Sequence, residues 1–254
     1  MACQNHATDD KYTKLYNERP EDLIGKHVRL EALDAMRHLA KVFDATNGRL
    51  YYDKKSYDPQ EVWGFLEDGP FETPQELYKS FVFRHNQNQA AFAVVDNVSD
   101  RILGVVMLSN DDPLNLSIKL EPPIVGPSTF GTKEELEACF LLMDRLFAHG
   151  YRRIYISIDA KDVQSSKLAD RLGFTFEGCL LKHMIIKDSS RDSKIYAMLN
   201  SDWDRGARLA LYKKFYGLSM ARADEANNKK EEELEEQQRV LAERKLNEEL
   251  KKNA

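Results

Sequence analysis

A chain of 254 residues with 42% apolar content is long enough for one substantial core, or one core with an appendage. Its 37 Lys and Arg are dispersed and the net charge is only -5, which argues against a nucleic-acid partner, since that needs a basic patch or stripe. No run approaches the roughly 18 apolar residues of a membrane span, and the opening residues, MACQNHATDDKYTK, lack the apolar stretch of a secretory leader. Cys3, Cys139 and Cys179 form no CxxC pair, which argues for reducing surroundings and against disulfides or a zinc site. The expectation is a cytoplasmic protein with no metal and no membrane or nucleic-acid partner.

In chain order, residues 1–24 are polar and read as a flexible arm. LIGKHVRLEAL follows, in which Val28, Leu30 and Ala32 alternate with His27, Arg29 and Glu31 as in a half-buried strand. Asp34 is placed to cap the helix AMRHLAKVFDAT, whose Met36, Leu39, Ala40 and Phe43 share one face. DPQEVWGFLEDGPF carries a short helix and a turn at Gly69 and Pro70. TPQELYKSFVFRHN opens with a Thr cap, Pro at the first helical position and Glu76 three residues after Thr73, a helix-start signature. QAAFAVVD and RILGVVMLSND are strands joined by the hairpin-length NVSD, and NLSIKL is a third strand that runs into the Pro- and Gly-rich EPPIVGPSTFGT. The long helix KEELEACFLLMDRLFAHG carries Leu136, Cys139, Phe140, Met143, Leu146 and Phe147 on an apolar stripe and ends at Gly150. The strand RRIYISIDA, helix SSKLADRLGF, strand EGCLLKHMIIKD, turn SSRD and strand SKIYAMLN complete a mixed α/β domain ending near Trp203.

Beyond it, DRGARLALYKKFYGL has apolar positions at helical spacing. The charged tail that follows holds Leu234, Leu241 and Leu250, which sustain no heptad. Its i,i+4 pairs, such as Glu248 with Lys252, contribute only about 0.2–0.5 kcal/mol each. An exposed single helix, a helix that pairs in a homodimer or binds a partner, and a disordered tail all fit this composition.

Seven pieces in order, VRLEAL, VWGFLEDGPF, ILGVVML, TFGTKEELEACFLL, GYRRI, DAKDVQSSKLADRLGFTFEG and KHMIIKDSSRDSKIYAMLNSDW, resemble the GNAT N-acetyltransferases, specifically the RimJ/RimL-like branch. The resemblance covers about residues 25–203, with 204–254 left as a C-terminal helical extension. It implies a GNAT fold of the α/β (α+β) class: a mixed twisted sheet, flanked by helices, that splays open between its fourth and fifth strands, with acetyl-CoA as co-substrate in the opening. Diverging strands leave backbone groups that must be bonded by something, and the amides of a pantetheine arm suit that role. The helix start that would take the pyrophosphate is Phe130, Gly131, Thr132, Lys133, Glu134 and Glu135, with free N–H groups and the positive dipole end. Phe130 stands where the family commonly has Gln or Arg, and Glu134 and Glu135 stand where small residues are usual. First-turn carboxylates are equally ordinary helix chemistry.

The resemblance places DAKDVQSS at the second lip of the opening. Ser165 matches a family Ser able to donate to the leaving thiolate or to CoA. Asp162 takes the place of an Asn; an ionised Asp can only accept, so it suits an ammonium group instead, or simply caps the next helix as Ser165 also could. By register Lys119 falls at the family's Glu position, and Glu121 lies two residues on, on the same face, as the candidate base. Trp63, Phe65 and Phe71 correspond to the family's acceptor-side lid and suit core packing as well. His183, alone on a strand, reads as structural. Cys139 and Cys179 read as buried on apolar faces, which disfavours an acetyl-cysteine route. The expected activity is acetyl transfer from acetyl-CoA to a primary amine, of a small molecule or a protein N-terminus, directly within a ternary complex. Glu67, Asp68 and Glu121 favour a cationic acceptor. The alternative is a catalytically degenerate GNAT-fold scaffold acting through its C-terminal helix.

Overall fold

The computed structural model describes residues 22–49, 56–84 and 88–217. Most of the expected N-terminal arm, the end of the FVFRHN segment and the charged tail lie outside the described residues. Two units divide between Arg208 and Leu209. The first holds an eight-stranded sheet: β1 (Leu23–Ile24), β2 (Val28–Ala32), β3 (Ala90–Asp96), β4 (Ile102–Asp112), β5 (Ser117–Val125), β6 (Arg153–Asp159), β7 (Thr175–Ile186) and β8 (Ser189–Leu199). The spatial order is β1-β2-β3-β4-β5-β6-β8-β7. Every neighbouring pair is antiparallel except β5 with β6, which are parallel. Flanking helices are α1 (Ala35–Thr46), α2 (Gln60–Trp63), α3 (Pro74–Lys79), α4 (Lys133–Ala148) and α5 (Val163–Leu172). A helix at Arg208–Tyr216 fits the helical spacing of that segment.

Local signals account for most helix boundaries. Thr73 Oγ1 accepts the Glu76 N–H at 3.3 Å, and Glu76 reaches back to the Glu72 N–H, a capping box displaced by one residue. Asp34, Thr132 and Asp162 cap α1, α4 and α5, and left-handed Gly173 ends α5. A core of Val42, Phe43, Trp63, Leu77, Val105 and Ile124 lies beneath the early helices, and Trp203 packs on Phe140 and Phe147 of α4 with ring centroids 5.8 and 5.0 Å away.

Three expectations are corrected. Met36 is 97% exposed, and α1 instead buries His38, Val42, Phe43, Ala45 and Thr46. His38 is tolerated inside because both ring nitrogens are partnered. Nδ1 accepts the Asp34 N–H, so Nε2 carries the proton that faces Glu31. Burial holds the His38 pKa below its ordinary value, keeping the ring neutral. The last hairpin turns at Lys187 and Asp188, both at positive φ, not at SSRD, whose residues belong to β8. The third strand of the central run continues through the proline pair to Val125.

That continuation opens the sheet. β5 and β6 pair only at Ser117↔Arg153, Ile118↔Ile154 and Lys119↔Tyr155. Past Lys119, β5 stays with β4 and β6 stays with β8. The register Met107↔Glu121 and Val105↔Ile124 puts one extra residue on β5, a bulge at Pro122–Pro123. Neither proline has an N–H to offer β6, and a bulge bends its strand. The bulge presses on β4 at Gly104, where a Cβ would sit 2.0 Å from the Ile124 carbonyl oxygen, so glycine is required there.

Candidate active site

Between the diverging ends lies a cleft of about 310 Å³. β5 contributes Lys119, Glu121 and the residues through Val125. The facing wall is Ser157–Asp159 of β6 and residues 161–165 at the start of α5. Phe130 and Glu135 close the α4 side. Phe65 and its neighbours after α2, with Met184 and Arg191 of the β7–β8 hairpin, line the other end. The hairpin tip reaches α2, where Lys187 Nζ donates to the Trp63 carbonyl oxygen at 2.7 Å; burial holds the Lys187 pKa below its usual value.

The sequence-identified residues divide by place. Phe130, Glu135, Glu121, Asp162, Ser165 and Phe65 line the cleft. Gly131, Thr132, Lys133 and Glu134 form the adjoining helix start without lining it. Trp63 is fully buried; its indole N–H donates to the Thr46 carbonyl and its ring meets Phe71 edge-on at 4.8 Å, so the pair belongs to the core and neither lines the cleft. His183 contacts Ser193 Oγ and does not line the cleft.

Asp162 and Ser165 act as one unit: Asp162 Oδ1 accepts the Ser165 N–H at 2.9 Å and Oδ2 accepts the Ser165 hydroxyl at 2.6 Å. Glu121 Oε1 takes both Lys119 Nζ, at 2.8 Å, and the Ser109 hydroxyl, which fixes the carboxylate. At the helix start, Glu135 Oε2 accepts the Gly131 N–H at 2.6 Å. Burial pushes its pKa up to about 7, opposed by that N–H and by Arg171, with Asp162 adding to the rise. Arg171, from the last turn of α5, donates to the Gly131 carbonyl. Cys139 is buried, and burial drives its thiol pKa well up. Cys179, expected inside, is exposed on β7; neither thiol lines the cleft.

Arg171, Arg191 and the Glu135–Gly131 contact were not singled out by sequence reasoning. Arg171 lies 40 positions from its partner, and no local pattern marks such a pairing.

No family model matches the sequence, and no curated protein is detectably similar to it. Solved structures are. A probable acetyltransferase of the GNAT family from Chromobacterium violaceum is 27% identical, with a TM-score of 0.70 over 80% of this chain and 98% of that one. A GCN5-related N-acetyltransferase from Brucella melitensis is 29% identical, with a TM-score of 0.68 over 76% and 86%. RimL, a ribosomal L7/L12 α-N-protein acetyltransferase in complex with coenzyme A, shares the fold at 16% identity, with a TM-score of 0.53 over 72% and 99%. The parallel pair that opens after three residues, the helix start beside it and the likenesses at 27% and 29% identity support a GNAT-type acyl-CoA N-acyltransferase, whose fold RimL shares.

Proposed function

We propose that the cleft seats acetyl-CoA and that the protein transfers the acetyl group directly to a primary amine, of a small molecule or a protein N-terminus, in a ternary complex. The observation that carries this is the three-residue β5–β6 pairing followed by divergence, which leaves two strand edges in need of a hydrogen-bonding occupant. Acetyl-CoA supplies the activated acetyl thioester; the chain supplies position and proton handling. The start of α4 offers N–H groups and a dipole to the pyrophosphate, and Arg171, against Gly131, brings the cation that Phe130 does not. Glu121, which lines the cleft, is the candidate base that takes a proton from the acceptor ammonium. The Ser165 hydroxyl, which donates to Asp162 at 2.6 Å, must leave that partner to protonate a departing thiolate, and it recovers its proton from the attacking amine. The buried Cys139 with its raised pKa, and Cys179 outside the cleft, argue for direct transfer over a thioester on the enzyme. A cytoplasmic site of action suits three cysteines with no CxxC pair. Among the described residues, no helix is long and apolar enough to cross a membrane.

Isothermal titration of the full chain with CoA should show one site per chain, and a thiol-release assay with acetyl-CoA and an amine panel should show turnover. Ser165→Ala is expected to lower kcat by about 10–100-fold, within the usual range for a positioned acid. Arg171→Ala should raise the KM for acetyl-CoA by roughly 10-fold, the loss of one charge-assisted contact, and leave the acceptor KM alone. Absence of heat at high micromolar CoA would remove the transferase reading and leave only the fold.

A further inference from the structure

Arg191 of β8 stands opposite Met184 of β7, and both line the cleft at its hairpin end. Its Nη2 donates to the Ser157 carbonyl at 3.2 Å, a group in the stretch of β6 that β5 has left. Its Nε is buried with no hydrogen-bond partner. Among the described residues no carboxylate pairs with this guanidinium. Buried donors in native proteins are nearly always satisfied, and a shielded cation without a counter-charge is costly.

Two carboxylates at this end, Glu121 and Asp68, are already engaged, while Glu61 and Glu67 also line the cleft. Lys119 and Glu121 neutralise each other at 2.8 Å, and Asp68 Oδ2 accepts the Phe81 N–H. Glu121, one of the carboxylates that favoured a cationic acceptor in the sequence, is thus engaged, and Arg191 is a cleft cation with no carboxylate partner among the described residues. Arg191 is carried by the β7–β8 hairpin, whereas Gly131, Glu135 and Arg171 meet at the helix start that suits the pyrophosphate.

Resting on the acetyl-transfer reading above, we infer that Arg191 determines acceptor specificity by binding a carboxylate on the acceptor. The preferred acceptor is then a small amino-acid-like molecule bearing both an amine and a carboxylate. A planar guanidinium that lines the cleft matches a carboxylate through its forked N–H groups. The same charge disfavours a polyamine, and a neutral amide in place of the carboxylate leaves it unpaired.

The test is a thiol-release assay of the full chain with acetyl-CoA, comparing free amino acids, the matching amino acid amides, short peptides and spermidine. A free amino acid should be used at least 10-fold better in kcat/KM than its amide, and better than spermidine. In Arg191→Gln the KM for the amino acid should rise by about 10–100-fold and the discrimination against the amide should vanish, with kcat changed less. Arg191→Lys should restore part of the loss, because the charge returns without the fork. Titration of the same variants with CoA should give an unchanged Kd. Equal use of acid and amide by the wild type, preference for spermidine or peptides, turnover of no amino acid at all, or a weakened CoA Kd in Arg191→Gln would each overturn the inference. Failure of the wild type to bind CoA is a separate result that removes the underlying activity; the acid-to-amide comparison is made on unaltered protein, so a variant that misfolds does not decide it.

Discussion

Replacing Glu137 by alanine is expected to destabilise the first unit by about 3–5 kcal/mol, because three backbone N–H groups lose their acceptor at about 1–3 kcal/mol for each one left buried. Glu137, in α4, is fully buried. Its Oε1 accepts the Lys26 N–H at 2.8 Å, and its Oε2 accepts the N–H groups of His27 and Val28 at 2.6 and 3.0 Å. Three successive amides of the β1–β2 turn therefore converge on one carboxylate carried more than a hundred residues later. Gly25 belongs to the same device: a Cβ there would lie 2.7 Å from Glu137 Cδ. Glutamine keeps the shape, but its NH₂ faces donors, so Glu137→Gln should cost about 2 kcal/mol. Urea unfolding followed by circular dichroism would measure both. If both variants unfold within 1 kcal/mol of wild type, the turn is held by other means. The functional consequence is graded: α4 carries the helix start beside the cleft, so loosening its seat against β1 and β2 should raise the KM for acetyl-CoA before it affects kcat.

How much of this was legible depended on distance along the chain. Caps at Thr73, Thr132 and Asp162, and the stop at Gly173, were readable because donor and acceptor lie within three or four residues. The opening of the sheet was readable only through the resemblance, although Pro122 and Pro123 are its physical cause. Buried Glu135 and Glu137 were not readable as buried: first-turn glutamates look like surface helix chemistry, and Glu137's partners lie over 100 positions away. The hairpin turn was misplaced because Lys187 and Asp188 adopt positive φ without the Asn-Gly signal such turns usually carry, while SSRD imitates one. Cys179 was misjudged because an apolar sequence in an edge strand does not say whether anything covers it. Arg191 was passed over because nothing in SSRD distinguishes a strand residue facing a cleft from a polar turn.

A pH-dependent effect on both stability and ligand affinity is expected at Glu135. Its carboxylate is 6% exposed and takes the Gly131 N–H, a donor that a pyrophosphate oxygen would otherwise use. Burial raises its pKa to about 7, so the group is ionised at pH 8 and protonated at pH 6. An acid whose folded pKa lies above its unfolded value near 4.5 contributes stability below the unfolded pKa and loses it as pH rises through the folded one. Above pH 7 this amounts to a penalty on the order of 3 kcal/mol, at about 1.36 kcal/mol per pKa unit. Glu135→Gln removes the charge and keeps a carbonyl to accept the Gly131 N–H. It should unfold at a higher temperature than wild type at pH 8, and the gap should close by pH 5. The same charge repels the ligand, so wild-type affinity should rise by roughly 10-fold between pH 8 and pH 6, while Glu135→Gln binds about 10-fold tighter at pH 8 and varies little with pH, each factor of ten being about 1.4 kcal/mol of charge repulsion relieved. The titration is best made with dephospho-CoA, because a phosphate monoester itself titrates near pH 6. A wild-type affinity flat with pH, together with weaker binding by Glu135→Gln, would show the carboxylate to be a cap that shapes the loop for its ligand and not a competitor for it.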